Sequence, residues 1–379
     1  YIVLESFPQL GLITSLRFLE WASENPQGVI SLPTGKTPEY FIKWTHHILN
    51  NWDKKDLDDL RKNNGLMLDN KPNLSGLRFV QIDEFYPLNP NQHNSFYNYV
   101  NKYYINGFGL NPKNALLINS DEIPLANNKN RRKIFPENKV DITLRFREAE
   151  NDKEKEQQDS IFLIDQWCTE YENKIRSLGG IGFFLGGIGP DGHIAFNVRG
   201  SDHNSTTRLT STNFETQAAA ATDLGGIEIS RNRLVITIGL GTITYNPDAT
   251  GIIIAAGEAK SPIIKNSLEH LPDVKYPATA LNKLKHSCFY ITQGAAKLLN
   301  DTETEYWNNN TWDKPKLQKS LLELSRKINV YGKKLSLKNL KNDPHCKNIP
   351  GLNENTVSGI ISDIDKKVQK GIKQETDQT

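Results

Sequence analysis

The sequence predicts an α/β fold: a doubly wound, mostly parallel, Rossmann-like sheet with helices on both faces and a helical C-terminal extension. Short apolar runs alternate with longer amphipathic stretches, which is the pattern of βα units around a parallel sheet. Several of the short runs are apolar at every position, as strands covered on both faces are. A chain of 379 residues is long enough to bury such a core.

Seven short apolar segments are candidate strands, at residues 28–32, 77–82, 114–118, 180–185, 234–238, 251–256 and 287–292. A charged stretch at about 126–160 predicts a solvated insertion, and apolar residues then recur at helical spacing from Ile161 to Leu178. The alternation stops after Thr292, where the sequence becomes rich in Lys and Asn. We therefore expect an α/β domain over 1–293, and a helical extension or a linker to a further domain over 294–379.

Composition limits the classes of partner. The 46 Lys and Arg residues nearly balance the 44 Asp and Glu residues, so no overall field favours nucleic acid or an anionic membrane. Cys168, Cys288 and Cys346 are far apart and have neither metal-site nor disulfide spacing, as expected in a reducing cytoplasm. No apolar run approaches the roughly 20 residues that span a bilayer. The sequence thus predicts a cytoplasmic protein without nucleic-acid or membrane partners and without a metal.

The first notable loop, Thr34, Gly35, Lys36 and Thr37, lies between a predicted strand and a predicted helix. Its backbone amides and the first N–H groups of that helix would form an anion site at the carboxyl end of the strand. A nucleotide P-loop is excluded, because that motif requires a glycine where Ile30 stands. An ordinary turn that caps the helix is the alternative.

Two acids, Asp83 and Glu84, directly follow the predicted strand at 77–82. Neighbouring residues of an extended chain point to opposite sides, so only one carboxylate needs to face a cleft. We select Asp83, which can act as a general base if partial burial raises its pKa. The alternative is an acidic strand end that caps the next helix.

A third motif spaces three glycines as GxGxxG from Gly187 to Gly192, after another predicted strand. This spacing occurs in dinucleotide-binding loops, but Pro190 interrupts the turn and Asp191 would place a negative charge near a pyrophosphate. Asp191 and His193, two residues apart in a glycine-rich loop, instead indicate proton-transfer chemistry. A histidine with a purely structural role in the loop is the alternative.

Together these segments resemble the glucosamine-6-phosphate deaminase family, within a larger group that includes sugar-phosphate isomerases and 6-phosphogluconolactonases. The resemblance runs from about Gly28 to Thr292. The lactonases share the Asp-Gly-His element but do not usually continue as Ile-Ala-Phe-Asn, so the deaminases are the closer match. The motifs that carry the resemblance are Leu32-Pro33-Thr34-Gly35, Ile82-Asp83-Glu84-Phe85, Gly189-Pro190-Asp191-Gly192-His193-Ile194-Ala195-Phe196-Asn197 and Gly257-Glu258-Ala259-Lys260.

The resemblance implies isomerisation of glucosamine 6-phosphate to fructose 6-phosphate with loss of ammonia, without a metal or organic cofactor. It implies that Asp83 moves the C2 proton to C1, and that His193, assisted by Asp191, opens the sugar ring. It places the phosphate on the loop from Thr34 to Thr37, with Lys260 reaching in from a later helix. The implied partner is a small amino-sugar phosphate, and a homo-oligomer is left open.

The sequence departs from the family at two positions. Val198 stands where family members carry a glutamate that orients the histidine. A count without gaps places Thr222 where family members carry an arginine that binds the substrate phosphate. Lys36 would replace the lost charge only in part, because an ammonium lacks the bidentate fork of arginine. Glu84 and Arg208 are candidates for supporting roles around the site.

Two other functions remain open for this sequence. A lactonase-like hydrolase would use His193 on a sugar-acid phosphate and would release no ammonia. A sensor would keep the phosphate loop and bind without turnover, with Val198 and Thr222 as marks of lost catalysis. A nicotinamide dehydrogenase is the least favoured, because the GxGxxG loop is a poor match.

Overall fold

The computed structural model describes residues 1–224, 230, 233–309, 311–328 and 335–376, without the side chains of 219–220, 222–224, 303–304, 326 and 367–376. The chain forms two compact units, Tyr1–Leu299 and Asn300–Thr379. No helix among these described residues is long and apolar enough to cross a membrane.

The first unit is built on a seven-stranded sheet in which every neighbouring pair is parallel, with the strand order β1-β10-β9-β6-β2-β3-β5. Its strands are β1 (Ile2–Leu4), β2 (Val29–Ser31), β3 (Arg78–Val80), β5 (Ala115–Leu116), β6 (Phe183–Gly187), β9 (Thr250–Ala255) and β10 (His286–Thr292). The parallel α/β sheet predicted from the sequence is thus confirmed, with β1 as an edge strand that the pattern did not indicate.

Helices cover both faces of this sheet. Phe183 and Leu185 of β6 pack into one core cluster with the helices Phe7–Glu24 and Glu39–Asn50, whereas Phe184 packs into the other with Asp152–Ser177. This alternation is what a strand buried on both faces requires. The remaining helices of the unit are Lys55–Asn63, Phe96–Val100 with the π-helical turn Asn101–Ile105 and Asn106–Phe108, Arg131–Ile134, Phe214–Leu224, Leu240–Ile243, Ser261–Glu269 and Gln293–Ala296.

A second, three-stranded antiparallel sheet, β4-β8-β7, lies in the same unit and contains β4 (Asp83–Tyr86), β7 (Arg208–Thr210) and β8 (Leu234–Thr237). It corrects two expectations. The segment 234–238 was expected in the parallel sheet but pairs antiparallel with β4 and β7, and an apolar run alone does not specify its partner. Asp83 was expected at the end of a central strand, but β3 ends at Val80 and Asp83 begins β4.

The charged stretch at about 126–160 is less solvated than its composition predicts. Ile134, Phe135 and Leu144 are buried in the core on the same side as Asp152–Ser177. Apolar residues spaced among charges therefore anchor this segment, and the prediction of a solvated excursion is wrong for these three positions.

The second unit contains the helices Asn300–Asn308, Lys314–Lys327, Leu337–Asn342 and Glu354–Thr376. Its own small core is built from Leu321, Leu324, Leu335, Leu340, Cys346, Ile349 and Val357. The amphipathic pattern of helix Lys314–Lys327 places Leu321 and Leu324 in this core and packs Leu317 against it. Leu322 of the same helix is exposed, and Lys316 is buried.

Candidate active site

A cavity of about 530 Å³ opens beyond the carboxyl ends of β2 and β6 and reaches β4. This edge of a parallel sheet is where ligands bind in α/β folds. The cavity brings together most of the candidate residues from distant parts of the sequence. They are Thr34, Gly35, Lys36, Thr37, Asp83, His193 and Lys260.

The loop after β2 is held in place by two tyrosine hydroxyls. Tyr104 donates to the Pro33 carbonyl at 2.5 Å, and Tyr99 donates to the Gly35 carbonyl at 3.0 Å. Gly35 adopts a φ of 76°, which favours glycine. No side chain caps the helix that begins at Glu39, whose first N–H group donates to the Lys36 carbonyl at 3.3 Å. The loop is therefore held in a defined conformation, and its residues from Thr34 to Thr37 line the cavity.

The two lysines at the cavity differ in their surroundings. Lys36 is exposed, whereas Lys260 is half-buried and donates to the Ile188 carbonyl at 2.8 Å. Burial lowers the pKa of Lys260, although the nearby Asp191 opposes this change. A phosphate bound near Lys260 would favour the charged ammonium form and so oppose the effect of burial on its pKa.

Asp83 is a buried carboxylate that faces the cavity, with 7% of its surface exposed. Among the described residues, no side chain or backbone group donates a hydrogen bond to its carboxylate; Gln81 donates only to the Asp83 backbone carbonyl. Burial and then the charge of Glu84 raise the pKa of Asp83 well above its usual range. A carboxylate without donors in a low-dielectric site is a stronger base than one in water.

Glu84 points away from the cavity and accepts four hydrogen bonds. Three come from the backbone N–H groups of Phe85, Phe96 and Tyr97, at 2.9, 3.1 and 2.8 Å, and one from the Ser95 hydroxyl at 2.6 Å. Burial raises the pKa of Glu84 to about 7 although these four donors oppose the change. Glu84 is not a partner of His193, and its contacts instead fasten residues 95–97 to β4.

His193 and Asp191 form a close pair in the loop after β6. The ring Nδ1 lies 2.5 Å from Asp191 Oδ1, and the other carboxylate oxygen accepts from the Arg199 N–H at 3.2 Å and from Asn213 at 2.6 Å. Burial alone would raise the pKa of Asp191, but the hydrogen bond and charge of His193 outweigh it and hold that pKa well below its usual range. An ionised Asp191 fixes the His193 proton on Nδ1 and leaves Nε2 available for proton exchange.

The backbone around this pair is tightly packed. A Cβ at Gly189 would lie 2.0 Å from His193 Cε1, so only glycine permits the ring to occupy its position. Ala195 has a φ of 53°, a conformation that costs free energy in a residue other than glycine. Phe196 lies almost parallel to the His193 ring, with centroids 6.2 Å apart. These contacts fix the orientation of the ring.

Arg208 does not line the cavity. It donates to Asn197 Oδ1 at 2.9 Å and to the Ser201 hydroxyl at 3.3 Å. Burial lowers the pKa of Arg208. Asn197 in turn donates to the carbonyls of Ile194 and Ile238. Arg208 thus braces the loop that carries His193 rather than presenting its charge to the cavity.

Val198 and Thr222 are the two positions that depart from the family pattern, and the structure describes the side chain of Val198 alone. Val198 carries no hydrogen-bonding side chain, but Asp191 supplies the carboxylate partner of His193, so the ring is not left unpaired. The side chain of Thr222 lies outside the described residues.

Sequence reasoning missed one wall of the cavity, which is formed by His93, Ser95, Phe96 and Tyr99. The only local signal is Ser95, whose hydroxyl accepts from the Asn98 N–H as a helix cap. That signal predicts a helix start but not its proximity to Asp83. No group of three or more His, Cys, Asp or Glu side chains among the residues described could hold a metal ion.

Comparison with known proteins gives matches in sequence and in fold. No family model matches the chain. A glucosamine-6-phosphate deaminase of Borrelia hermsii is 34% identical over 151 residues, which cover 38% of this chain and 56% of that protein. A glucosamine-6-phosphate isomerase of Candida albicans is 38% identical over 119 residues, which cover 31% of this chain and 48% of that protein. The chain therefore spans about half the length of the curated relatives it matches.

The fold is similar to a solved structure of a monomeric glucosamine-6-phosphate deaminase, with a TM-score of 0.57 and 21% identity. The similarity covers 78% of this chain and 98% of that one. At this identity the likeness concerns the fold alone. The matched part of the chain is thus similar in sequence to glucosamine-6-phosphate deaminases and isomerases, and the chain is similar in fold to a solved deaminase.

Proposed function

We propose that the α/β unit converts an amino-sugar phosphate, glucosamine 6-phosphate, and water into fructose 6-phosphate and ammonia. One observation carries the proposal: a buried carboxylate without donors, Asp83, and an imidazole paired with an acid, His193, line one cavity. An aldose-ketose isomerisation requires such a base beside a group that can exchange protons with the sugar oxygens. Residues 294–379 have an accessory role in this proposal.

The first step opens the ring. Nε2 of His193 exchanges a proton with the sugar, so that the anomeric hydroxyl loses a proton and the ring oxygen gains one. The C1 to ring-oxygen bond breaks and leaves an open-chain aldehyde. Asp191 stabilises the charged imidazole that this exchange creates, because its carboxylate lies 2.5 Å from Nδ1.

The second step transfers hydrogen from C2 to C1. Asp83 takes the C2 proton, the electron pair forms the C1–C2 double bond of an enolamine, and the aldehyde oxygen receives a proton from the C2 ammonium group. Asp83 then returns its proton to C1, which leaves an iminium group at C2. Water adds to the iminium carbon and ammonia leaves as the ammonium ion, so that the atoms and charges balance without an oxidant or a cofactor.

The anion site sets the position of the sugar. The amides of the loop Thr34–Thr37, the N-terminus of the helix at Glu39 and the ammonium groups of Lys36 and Lys260 support a phosphate at this end of the cavity. A phosphate held there would direct the far end of the sugar chain toward Asp83 and His193, and such positioning contributes a large part of catalysis.

A coupled assay tests the proposal. The purified chain is incubated with glucosamine 6-phosphate, and ammonia and fructose 6-phosphate are measured independently, with Asp83→Asn as the matched control. Equal amounts of both products, lost in the Asn variant, are expected. Hydrolysis of 6-phosphogluconolactone without ammonia release would instead identify a lactonase. Saturable binding of the sugar phosphate without turnover would identify a sensor.

A further inference from the structure

Asp83 and Glu84 are adjacent in β4, yet their carboxylates have opposite surroundings. Asp83 faces the cavity and receives no hydrogen bond from the described residues, whereas Glu84 receives four. Two neighbouring acids whose surroundings differ in this way are suited to two different tasks. The sequence motif alone does not reveal this division.

We propose that Glu84 is a positioning residue for Asp83: its carboxylate fastens one cavity wall to β4, and its negative charge disfavours a second charge on Asp83. The inference rests on the proposed function, because it assigns Asp83 as the base. Glu84 itself does not touch the cavity.

The positioning follows from the hydrogen bonds. Both oxygens of Glu84 are used: Oε1 accepts from the N–H groups of Phe85 and Phe96, and Oε2 accepts from the Ser95 hydroxyl and the Tyr97 N–H. These bonds join β4 to the start of helix Phe96–Val100. The wall that carries Ser95 and Phe96 is therefore held against the strand that carries Asp83.

The effect of charge follows from burial. Glu84 is 1% exposed, so water screens its charge poorly. Titratable and charged groups from several elements surround Asp83. They are Glu84 on its own strand, Lys36, His93, Tyr99, His193 and Lys260 around the cavity, and Tyr171 from the helix Asp152–Ser177. Among the described residues, Glu84 is the acid whose charge adds to burial in raising the pKa of Asp83.

The charge of Glu84 affects the pH at which Asp83 becomes a base. Asp83 acts as a base only when it is deprotonated, so activity rises as pH passes its pKa. Loss of the Glu84 charge would lower the pKa of Asp83, and the acid limb of the profile would move to lower pH. Because the two acids titrate as a coupled pair, this limb belongs to the pair and not to either residue.

Three variants separate charge from fastening. Glu84→Gln removes the charge and places an NH₂ group opposite backbone donors. Glu84→Asp keeps the charge but shortens the reach, and Ser95→Ala removes one donor while keeping the charge. The acid limb of kcat/KM for ammonia release should move to lower pH in Glu84→Gln alone. All three should raise KM for glucosamine 6-phosphate, roughly threefold to tenfold for one lost contact.

The outcomes distinguish this inference from the proposed function. An unmoved acid limb in a folded Glu84→Gln variant, or an equal shift in Glu84→Asp, overturns the role of charge. An unchanged KM in all three variants overturns the role in positioning. If the wild-type chain releases no ammonia, the proposed function fails, and the inference is tested by titrating the ¹³C-labelled carboxyl of Asp83 by NMR.

The NMR titration also applies if Glu84→Gln does not fold. In the wild-type chain, the Asp83 signal should then titrate well above its usual range and show a second inflection from Glu84. A single titration at the ordinary aspartate pKa of about 4 overturns the inference.

Discussion

Replacing Asp191 with Asn tests how the structure controls the histidine. Both oxygens of Asp191 accept hydrogen bonds, Oδ1 from His193 and Oδ2 from Arg199 and Asn213. Asn has only one oxygen. If its NH₂ group faced the donors of Arg199 and Asn213, each donor left unpaired would lower the free energy of unfolding by about 1–3 kcal/mol. Asn213 cannot easily turn its amide, because its oxygen accepts from the Thr216 N–H at 3.0 Å. The new NH₂ group will therefore face His193.

This orientation reverses the histidine tautomer. Nδ1 must then accept a hydrogen bond, so that the proton moves to Nε2, the nitrogen proposed to exchange protons with the sugar. Turnover should fall by roughly 10²- to 10⁴-fold, the range for loss of general acid-base catalysis. Ammonia release measures the rate, and ¹⁵N chemical shifts of the ring report the tautomer.

A matched control is Thr216→Val, which removes a longer contact of 3.2 Å to the same ring nitrogen. It should reduce turnover less than Asp191→Asn does. The reasoning is refuted if Asp191→Asn retains more than about a tenth of wild-type turnover, or if its His193 still carries the proton on Nδ1.

Three further predictions concern the same cavity. Asp83→Asn should reduce ammonia release by about 10²-fold or more while sugar phosphate still binds by calorimetry, and near-normal turnover would exclude Asp83 as the base. Lys36→Ala and Lys260→Ala should each weaken phosphorylated ligands by roughly 1.5–3 kcal/mol, and equal losses for unphosphorylated analogues would contradict the anion site. Gly189→Ala should displace His193 and destabilise the fold by about 1–3 kcal/mol, and an unchanged thermal midpoint and turnover would refute that steric argument.

The sequence was sufficient to predict the class of fold, because strands that are apolar at every position and alternate with amphipathic stretches occur in few folds other than a parallel α/β sheet. It did not predict where β8 pairs, since an apolar run fits a parallel or an antiparallel neighbour equally well. It also missed the break between Val80 and Asp83, where the chain passes from one sheet to the other. Gln81 spans this break by accepting from the Ile118 N–H and donating to the Asp83 carbonyl. The contact between Gln81 and Ile118 joins residues 37 apart and has no local signature.

The candidate site was predictable where its residues form motifs and unpredictable where they do not. Asp191 and His193 are two residues apart, so their pairing was accessible from spacing and chemistry. The contact of Glu84 with Ser95 joins residues 11 apart through a loop whose path no pattern specifies. Arg208 was a candidate for a supporting role, and its bond to Asn197 joins it to the loop that carries His193.

The two tyrosines that hold the loop after β2 bear on the thermodynamics of binding. Because Tyr99 and Tyr104 fix the carbonyls of Gly35 and Pro33, the loop is ordered before any ligand arrives. An anion that enters therefore loses little affinity to the ordering of the backbone, and more of the contact free energy appears as binding. Without the Tyr104 hydroxyl, the loop would become ordered only when the anion binds. The affinity would then fall because binding would cost more entropy, although every contact to the anion remained.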